Sequence, residues 1–415
     1  MNLLIKNIKQ LVTVRSDGMP FKSGKEMRDL GIIEHATVLI QNGVFTWIGA
    51  SAEFHQTVDE YIDSIDASEL VGLPGFVDSH THLLFAGTRE NEFAMRNEGK
   101  SYQEIAQAGG GILSTVQATR SATKKELKRF ARRHLDIMLT EGTTTVEIKS
   151  GYGLNEKDEI KMLDAMNDLT EESLMDIVPT FLGAHAVPPE FKNNSNAYVD
   201  LICTRMLPYI AQRKLAKFCD VFCEQGYFSV EQCRKIFETT KPLGIRNKIH
   251  ADQFTRIGAS KLAAEVSAVS ADHLEQIDDA GIAALKQSGT IATVLPGAAF
   301  FLNDEYPPAR KIIDAGVPLA IASNFNPGSC MSYSMPMMMT IACTHMSMTP
   351  EEALTSSTLN GAAALGLSEI LGSIEVGKQA DIVLYDIPDY RYLAYHFGTN
   401  HVANVIKHGT YLDFL

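Results

Sequence analysis

Residues 71–89 read VGLPGFVDSHTHLLFAGTR, an apolar, strand-like run that ends in His80-Thr81-His82 and passes into a loop carrying Arg89. Alternation along an extended chain puts both imidazoles of the His-x-His pair on one side. Two neutral imidazoles so placed suit Zn²⁺ or Fe, and a catalytic site adds a third ligand and an open position. Outward from this stretch, seven more short apolar runs alternate with amphipathic helical patterns: TTTVEIKS (143–150), MDIVPTFLGA (175–184), KFCDVFCE (217–224), IRNKIH (245–250), VSAD (269–272), TIATVLP (290–296) and VPLAIAS (317–323). Between them lie helical stretches such as KKELKRFARRHLDIMLTEG and VEQCRKIFETTKPLG, the second closing on Gly244 as a helix C-cap does. Eight such units predict an α/β fold, a (β/α)8 TIM-like barrel rather than an open sheet.

Barrel chemistry gathers where the strands end and the βα loops converge. The predicted strand ends deliver His80 and His82, Lys149, His185, Glu224, His250, His273 and Asn324. Five of the 12 histidines fall at these few places. Independent placement would seldom do this, so the pattern points to a metal site rather than to scattered core histidines.

The flanks read differently. Residues 1–70 are β-rich, with an Asn42-Gly43 hairpin turn inside ATVLIQNGVFTWIGA. The tail segments SIEVGKQADIVLYD and VANVIKHGTYL show strands punctuated by Gly turns. The sequence therefore predicts a small β-sandwich domain built from residues 1–70 and 367–415, flanking a metal-dependent barrel over 71–366.

Composition excludes other classes. Across 415 residues, 37 Lys+Arg against 50 Asp+Glu give a net charge of −13. Such a chain lacks the basic stripe that nucleic acid requires. Its main basic run, Lys124 to Arg133, is interleaved with Leu127, Phe130 and Ala131 and reads as one solvated helix face. The N-terminal MNLLIKNIKQ alternates like a strand instead of forming a signal peptide's apolar stretch. Ile291 to Leu302 is broken by Pro296 and Gly297, well short of the ~20 residues a membrane span needs. Six cysteines at no zinc-ribbon spacing read as ordinary thiols of a reducing compartment. The expectation is a cytoplasmic protein with no membrane and no nucleic-acid partner. The Met-rich stretch Met331 to Met348 reads as core rather than as a subunit interface.

LPGFVDSHTHLLFAGTR, together with HADQF at His250 and ADHLE at His273, resembles the metal-dependent amidohydrolase superfamily. GGGILSTV (109–116), EIKSGYGL (147–154), FLGAHAVPPE (181–190) and FNPGS (325–329) narrow the resemblance to the imidazolonepropionase family over essentially the whole chain. That resemblance implies hydrolytic opening of 4-imidazolone-5-propanoate to N-formimidoyl-L-glutamate in histidine degradation, and a homodimer. It also implies one divalent or trivalent ion, Zn or Fe, held by His80, His82, His250 and Asn324. A metal there would lower the pKa of its bound water from about 15.7 towards ~7, and His273 would polarise the carbonyl or stabilise the oxyanion.

The implied substrate carries a carboxylate, which an acidic protein must neutralise locally. Arg89, in the loop after the first barrel strand, is the expected clamp. The resemblance also makes Tyr152, His185, Gln253, Asn326, Gly328 and Ser329 substrate contacts, and Tyr102 enters by its place in the first long loop. For Gly328 and Ser329 the expected donors are backbone N–H groups in a tight turn.

Two positions qualify the chemistry. The family carries Asp where this chain has Asn324, and a neutral amide is a poorer ligand and no general base; this leaves open a variant that traps substrate, a weakened or non-catalytic relative that binds substrate without turnover, and an active enzyme whose base is another group. Related deaminases carry Glu where this chain has Gln253, which cannot shuttle protons to a leaving amine. That favours ring opening over the alternative, deamination of a cyclic amidine.

Overall fold

In the computed structural model, residues 2–58, 61–100, 104 and 109–412 are described. β1 (Asn2–Val12) pairs antiparallel with β2 (Ile32–Gln41), which returns into β3 (Val44–Ala50) through Asn42 and Gly43 at φ 54° and 80°. Positive φ at both turn positions matches the twist of the flanking strands. β4 (Asp63–Asp66) and β5 (Val71–Pro74) run parallel to β1.

The run VGLPGFVDS, expected as one barrel strand, serves two sheets. Val71–Pro74 stays with the terminal sheet, and Phe76–Asp78 opens the barrel as β6. Gly75 is the hinge, and a Cβ there would lie 2.2 Å from Thr144 Oγ1. The remaining runs each form the strand expected: β7 (Thr143–Lys149), β8 (Asp176–Ala184), β9 (Phe218–Cys223), β10 (Arg246–Ala251), β11 (Ser270–His273), β12 (Ile291–Val294) and β13 (Leu319–Ile321). All pair in parallel, in chain order, each with its neighbours.

Side-chain and loop hydrogen bonds fasten β13 to β6. Ser323 donates to the Asp78 carboxylate through its N–H at 3.0 Å and through its hydroxyl. Just beyond, Asn324 N–H donates to His80 O at 3.0 Å and His82 N–H to Phe325 O at 2.9 Å. The chain's two most distant barrel segments therefore meet at the end where the histidines lie.

β14 (Ile382–Tyr385), β15 (Val402–Lys407) and β16 (Thr410–Leu412) complete the first sheet, with β14 antiparallel to β5. Period-2 alternation gives this sheet two cores. Ile382, Leu384 and Ile406 pack with Ile5, Ile8, Val38 and Ile40 inside the small β-sandwich. Val383, Tyr385 and Val405 instead join the large core of the barrel and its helices.

Helix Lys124–Thr140 starts at a capping box, Thr123 with Glu126, and buries Leu127, Ala131, Leu135, Met138 and Leu139 at helical spacing. Its basic face is the surface face expected, with Lys128 Nζ 2.9 Å from Asp168 and 2.5 Å from Glu172. Helix Val230–Leu243 closes on Gly244 at φ 71°. Met335, Met338, Met339, Met346 and Met348 are buried, and all six cysteines are free thiols. Among the described residues no helix is long and apolar enough to cross a membrane.

Candidate active site

Four histidines from three barrel loops and strands converge at the mouth. His80 and His82 follow β6, His250 sits near the end of β10 and His273 ends β11. The His80 ring centroid lies 4.5 Å from His250, 5.3 Å from His82 and 5.8 Å from His273. One ring nitrogen each from His80, His82 and His250 fall within 4.8 Å of one another. Buried carboxylates fix the tautomers. His80 Nδ1–H donates to Asp272 at 2.7 Å and His250 Nδ1–H to Asp220 at 3.2 Å. Each Nε2 lone pair is left facing the shared space, with His250 Nε2 3.4 Å from His82 Nε2. Among the described residues His80 Nε2 and Asn324 Oδ1 are buried without a hydrogen-bond partner. Burial first, then Lys149 and the neighbouring imidazoles at His80, and His185 and His250 ahead of Lys149 at His82, pushes both well below the ordinary histidine range. Neutral imidazoles and an orphaned amide oxygen are what a metal ion requires of its ligands. The donor set therefore fits one ion.

Beneath the imidazoles lies a charge layer with no exposure to solvent. Lys149 Nζ lies 2.7 Å from both Glu147 and Asp220 and 3.7 Å from Asp272. Lys248 Nζ lies 3.2 Å from Glu147 and 2.8 Å from Ser79 O. Burial would raise the Asp220 carboxyl, but His250 and Lys149 outweigh it and hold it low. Burial would likewise lower Lys149, yet Asp220, Glu147 and Asp272 reverse the shift upward. Three carboxylates thus face two ammonium groups, and the unmatched negative charge lies directly behind the two oriented imidazoles. Sequence reasoning placed Lys149 at a strand end but gave no role to Glu147, Asp220, Lys248 or Asp272. Their signal was present, since charged residues spaced two apart in apolar runs, such as Glu147 and Lys149, face one side of a strand.

His273 adopts φ 85°, a left-handed conformation uncommon outside glycine. Leu274 N–H, bonded to Ala251 O at 3.0 Å, helps hold it there, and Glu275 Oε1 lies 3.4 Å from His273 Nδ1.

The rim carries the expected substrate residues, with corrections. His185 stacks on His82 at 4.9 Å, and its Nδ1–H donates to Gly151 O at 3.0 Å, leaving Nε2 as an acceptor. Burial and His250 lower its pKa to about 3. Tyr152 lies 5.9 Å from His82 and 5.5 Å from His185; burial pushes its phenol up, so it remains a donor. Arg89 is not the free clamp expected. Glu92 grips it through Nε at 2.9 Å and Nη2 at 2.7 Å. Nor are the N–H groups of Gly328 and Ser329 free, since both donate to Asn326 Oδ1 at 2.8 Å in an Asx turn. Gly328 instead leaves room for Arg89, whose Nη1 would lie 2.1 Å from a Cβ at that position. Asn326 Nδ2 donates to Ser329 Oγ at 2.8 Å and to Asn324 O at 2.6 Å, which shapes the loop around Asn324.

Gln253 is half-buried just beyond β10. Its loop is pinned by Glu224, which accepts from Phe254 N–H at 2.9 Å and Thr255 N–H at 3.2 Å. Tyr102 lies outside the described residues.

A histidine cluster at the carboxyl ends of barrel strands, with a small β domain assembled from both flanks, is the architecture of a metal-dependent hydrolase. The chain belongs to the amidohydrolase family, whose model matches residues 71–412. Within that family it belongs to the imidazolonepropionases: the imidazolonepropionase of Alkaliphilus oremlandii is 47% identical over 98% of this chain and 96% of its own length. Solved structures share the fold at low identity. A triazine hydrolase variant has a TM-score of 0.76 at 16% identity, covering 99% of this chain and 94% of that one. An adenosine deaminase from Xanthomonas campestris with bound zinc has a TM-score of 0.70 at 18%, covering 99% and 92%.

Proposed function

We propose that this chain hydrolyses 4-imidazolone-5-propanoate to N-formimidoyl-L-glutamate, a step of histidine degradation. Water adds to the ring carbonyl carbon, the carbonyl C–N bond breaks, and the departing ring nitrogen takes a proton. Likeness to an imidazolonepropionase across nearly the full length carries this reading. The convergence of His80, His82, His250 and the unpartnered Asn324 oxygen supports it.

In this reading those four residues hold one metal ion, Zn or Fe. When bound, such an ion supplies Lewis acidity and lowers the pKa of water towards neutrality. Asp272 and Asp220 keep His80 and His250 in the tautomer that presents Nε2. His273 lies outside the ligand set and pairs with Glu275. With Glu275 beside its Nδ1, His273 takes up through Nε2 the proton of the adding water, which Asn324 and Gln253 cannot accept; the imidazolium so formed stabilises the oxyanion and hands that proton to the departing ring nitrogen. His185 Nε2, neutral and free, accepts from a ring N–H. Tyr152 donates its phenol proton to the substrate, and Asn326, Gly328 and Ser329 form the wall that seats Arg89 against the propanoate arm.

Incubating metal-loaded protein with the imidazolone and identifying the product by NMR tests this reading. Formimidoyl-glutamate appearing one-for-one with loss of imidazolone absorbance supports it. Release of ammonia with a cyclic product would instead identify a cyclic-amidine deaminase, and binding without product would identify a non-catalytic relative.

A further inference from the structure

Helix Glu90–Asn97 begins beside Arg89, and Arg89, Glu92 and Arg96 recur at spacings of three and four, so they share one helix face. Glu92 is the carboxylate between the two guanidiniums, and it is fully engaged. Both of its oxygens hold Arg89, and Oε1 also accepts Gly111 N–H at 3.0 Å. Arg96 forms no ion pair among the described residues. Its Nη2 reaches Gly328 O at 3.4 Å and its guanidinium lies 5.6 Å from the Phe301 ring centre. Among the described residues its Nη1 is buried without a hydrogen-bond partner. Arg96 as a whole is half-buried, but a buried N–H group of a cation left without an acceptor is costly unless a ligand satisfies it. Burial, followed by the nearby Arg89 charge, lowers the pKa of Arg96.

Both guanidiniums meet at Gly328, in the loop that carries Asn324. Arg89 occupies the space a Cβ there would take and Arg96 reaches its carbonyl. The Arg89 charge also reaches Tyr152, which stands beside His82. A line therefore runs from the imidazoles through Tyr152 to a pair of cations that share one carboxylate. It ends in one unmatched positive charge, in a protein whose net charge is −13.

We propose that Arg96 is the second guanidinium of the substrate's carboxylate site, with Nη1 donating to the oxygen that Arg89, locked by Glu92, leaves unpaired. This rests on the ring-opening function above and makes Arg96 a determinant of preference for an anionic substrate. The test compares wild type, Arg96→Gln and Arg96→Lys on 4-imidazolone-5-propanoate and on its neutral propanamide, with kcat and KM separated and metal content measured. Loss of a charge-assisted hydrogen bond typically costs about 10- to 100-fold in affinity. Arg96→Gln should raise KM for the acid by about that factor, leave the amide and the metal content little changed, and so collapse the acid-over-amide preference. Arg96→Lys, which keeps the charge without the planar fork, should fall between. Equal KM increases for acid and amide would show that Arg96 acts only through the Gly328 carbonyl, and an unchanged KM for the acid in both variants would also overturn the assignment. Wild type that opens neither compound would overturn the ring-opening function, and the carboxylate site with it.

Discussion

Asp220 joins two parts of the site, so removing it separates their contributions. It accepts from His250 Nδ1 at 3.2 Å, pairs with Lys149 at 2.7 Å and accepts its own neighbour's N–H, that of Val221, at 2.7 Å. Asp220→Ala frees the His250 ring to rotate and to adopt either tautomer. Loss of a partner behind a metal-binding histidine typically weakens metal affinity about 10- to 100-fold, or about 1.4 to 2.7 kcal/mol. The same substitution strips a carboxylate from a buried ammonium. Lys149 retains Glu147 at 2.7 Å and Asp272 at 3.7 Å, so the stability loss should fall near the low end of the roughly 3–5 kcal/mol typical of a broken buried pair. Chelator competition measures the first quantity, and urea unfolding of metal-free protein the second. Reduced stability with unaltered metal affinity would refute the orienting role and leave Asp220 as a counter-charge for Lys149 alone.

Other outcomes follow from the same geometry. Asn324→Asp supplies a charged oxygen ligand and a proton acceptor, so kcat should rise about tenfold or more and metal should bind more tightly; unchanged turnover and metal content would contradict the proposed role of Asn324. His273→Gln should lower kcat by roughly 10² to 10⁴ while the ion content stays at the wild-type level, and loss of the metal would place His273 among the ligands instead. Asp176, at the start of β8, bonds Lys407 at 2.6 Å, Gln379 at 2.7 Å and His408 at 3.0 Å. Burial opposes its ionisation, yet these partners hold it below its ordinary 3.8. A depressed carboxylate stabilises the fold above that ordinary value and loses the contribution as pH falls through the folded one. Wild type should therefore lose more stability between pH 6 and pH 3 than Asp176→Asn, as read by urea midpoints, and parallel losses would contradict the linkage.

The barrel was legible because its strands are short, buried on both faces and separated by strongly amphipathic helices. The five histidines at their tips were legible because parallel strands all deliver their carboxyl ends to one side. The split at Gly75 was not, since the two strands follow one another without a turn and are told apart only by partners remote in sequence, Gly75 N–H bonding Asp381 O at 3.2 Å and Phe76 N–H bonding Gly142 O at 2.9 Å. The buried charge layer escaped for another reason. Alternation shows which side of a strand Glu147, Lys149 or Asp220 occupies, but not which residue of the next strand it meets. The capture of Arg89 by Glu92 and the Asx turn at Asn326 had local signatures, an i, i+3 opposite-charge pair and Asn-Pro-Gly-Ser. In each case the neighbouring group claimed donors that the sequence offered to the substrate.

Stepwise titration of metal-free protein with Zn²⁺ or Fe²⁺, following imidazolone consumption at each addition, tests the metal centre most directly. Activity should rise in proportion to bound metal and stop at one ion per chain, and His250→Ala should neither retain the ion nor regain activity. Turnover independent of added metal, or still rising to two ions per chain, would contradict the single centre built from His80, His82, His250 and Asn324.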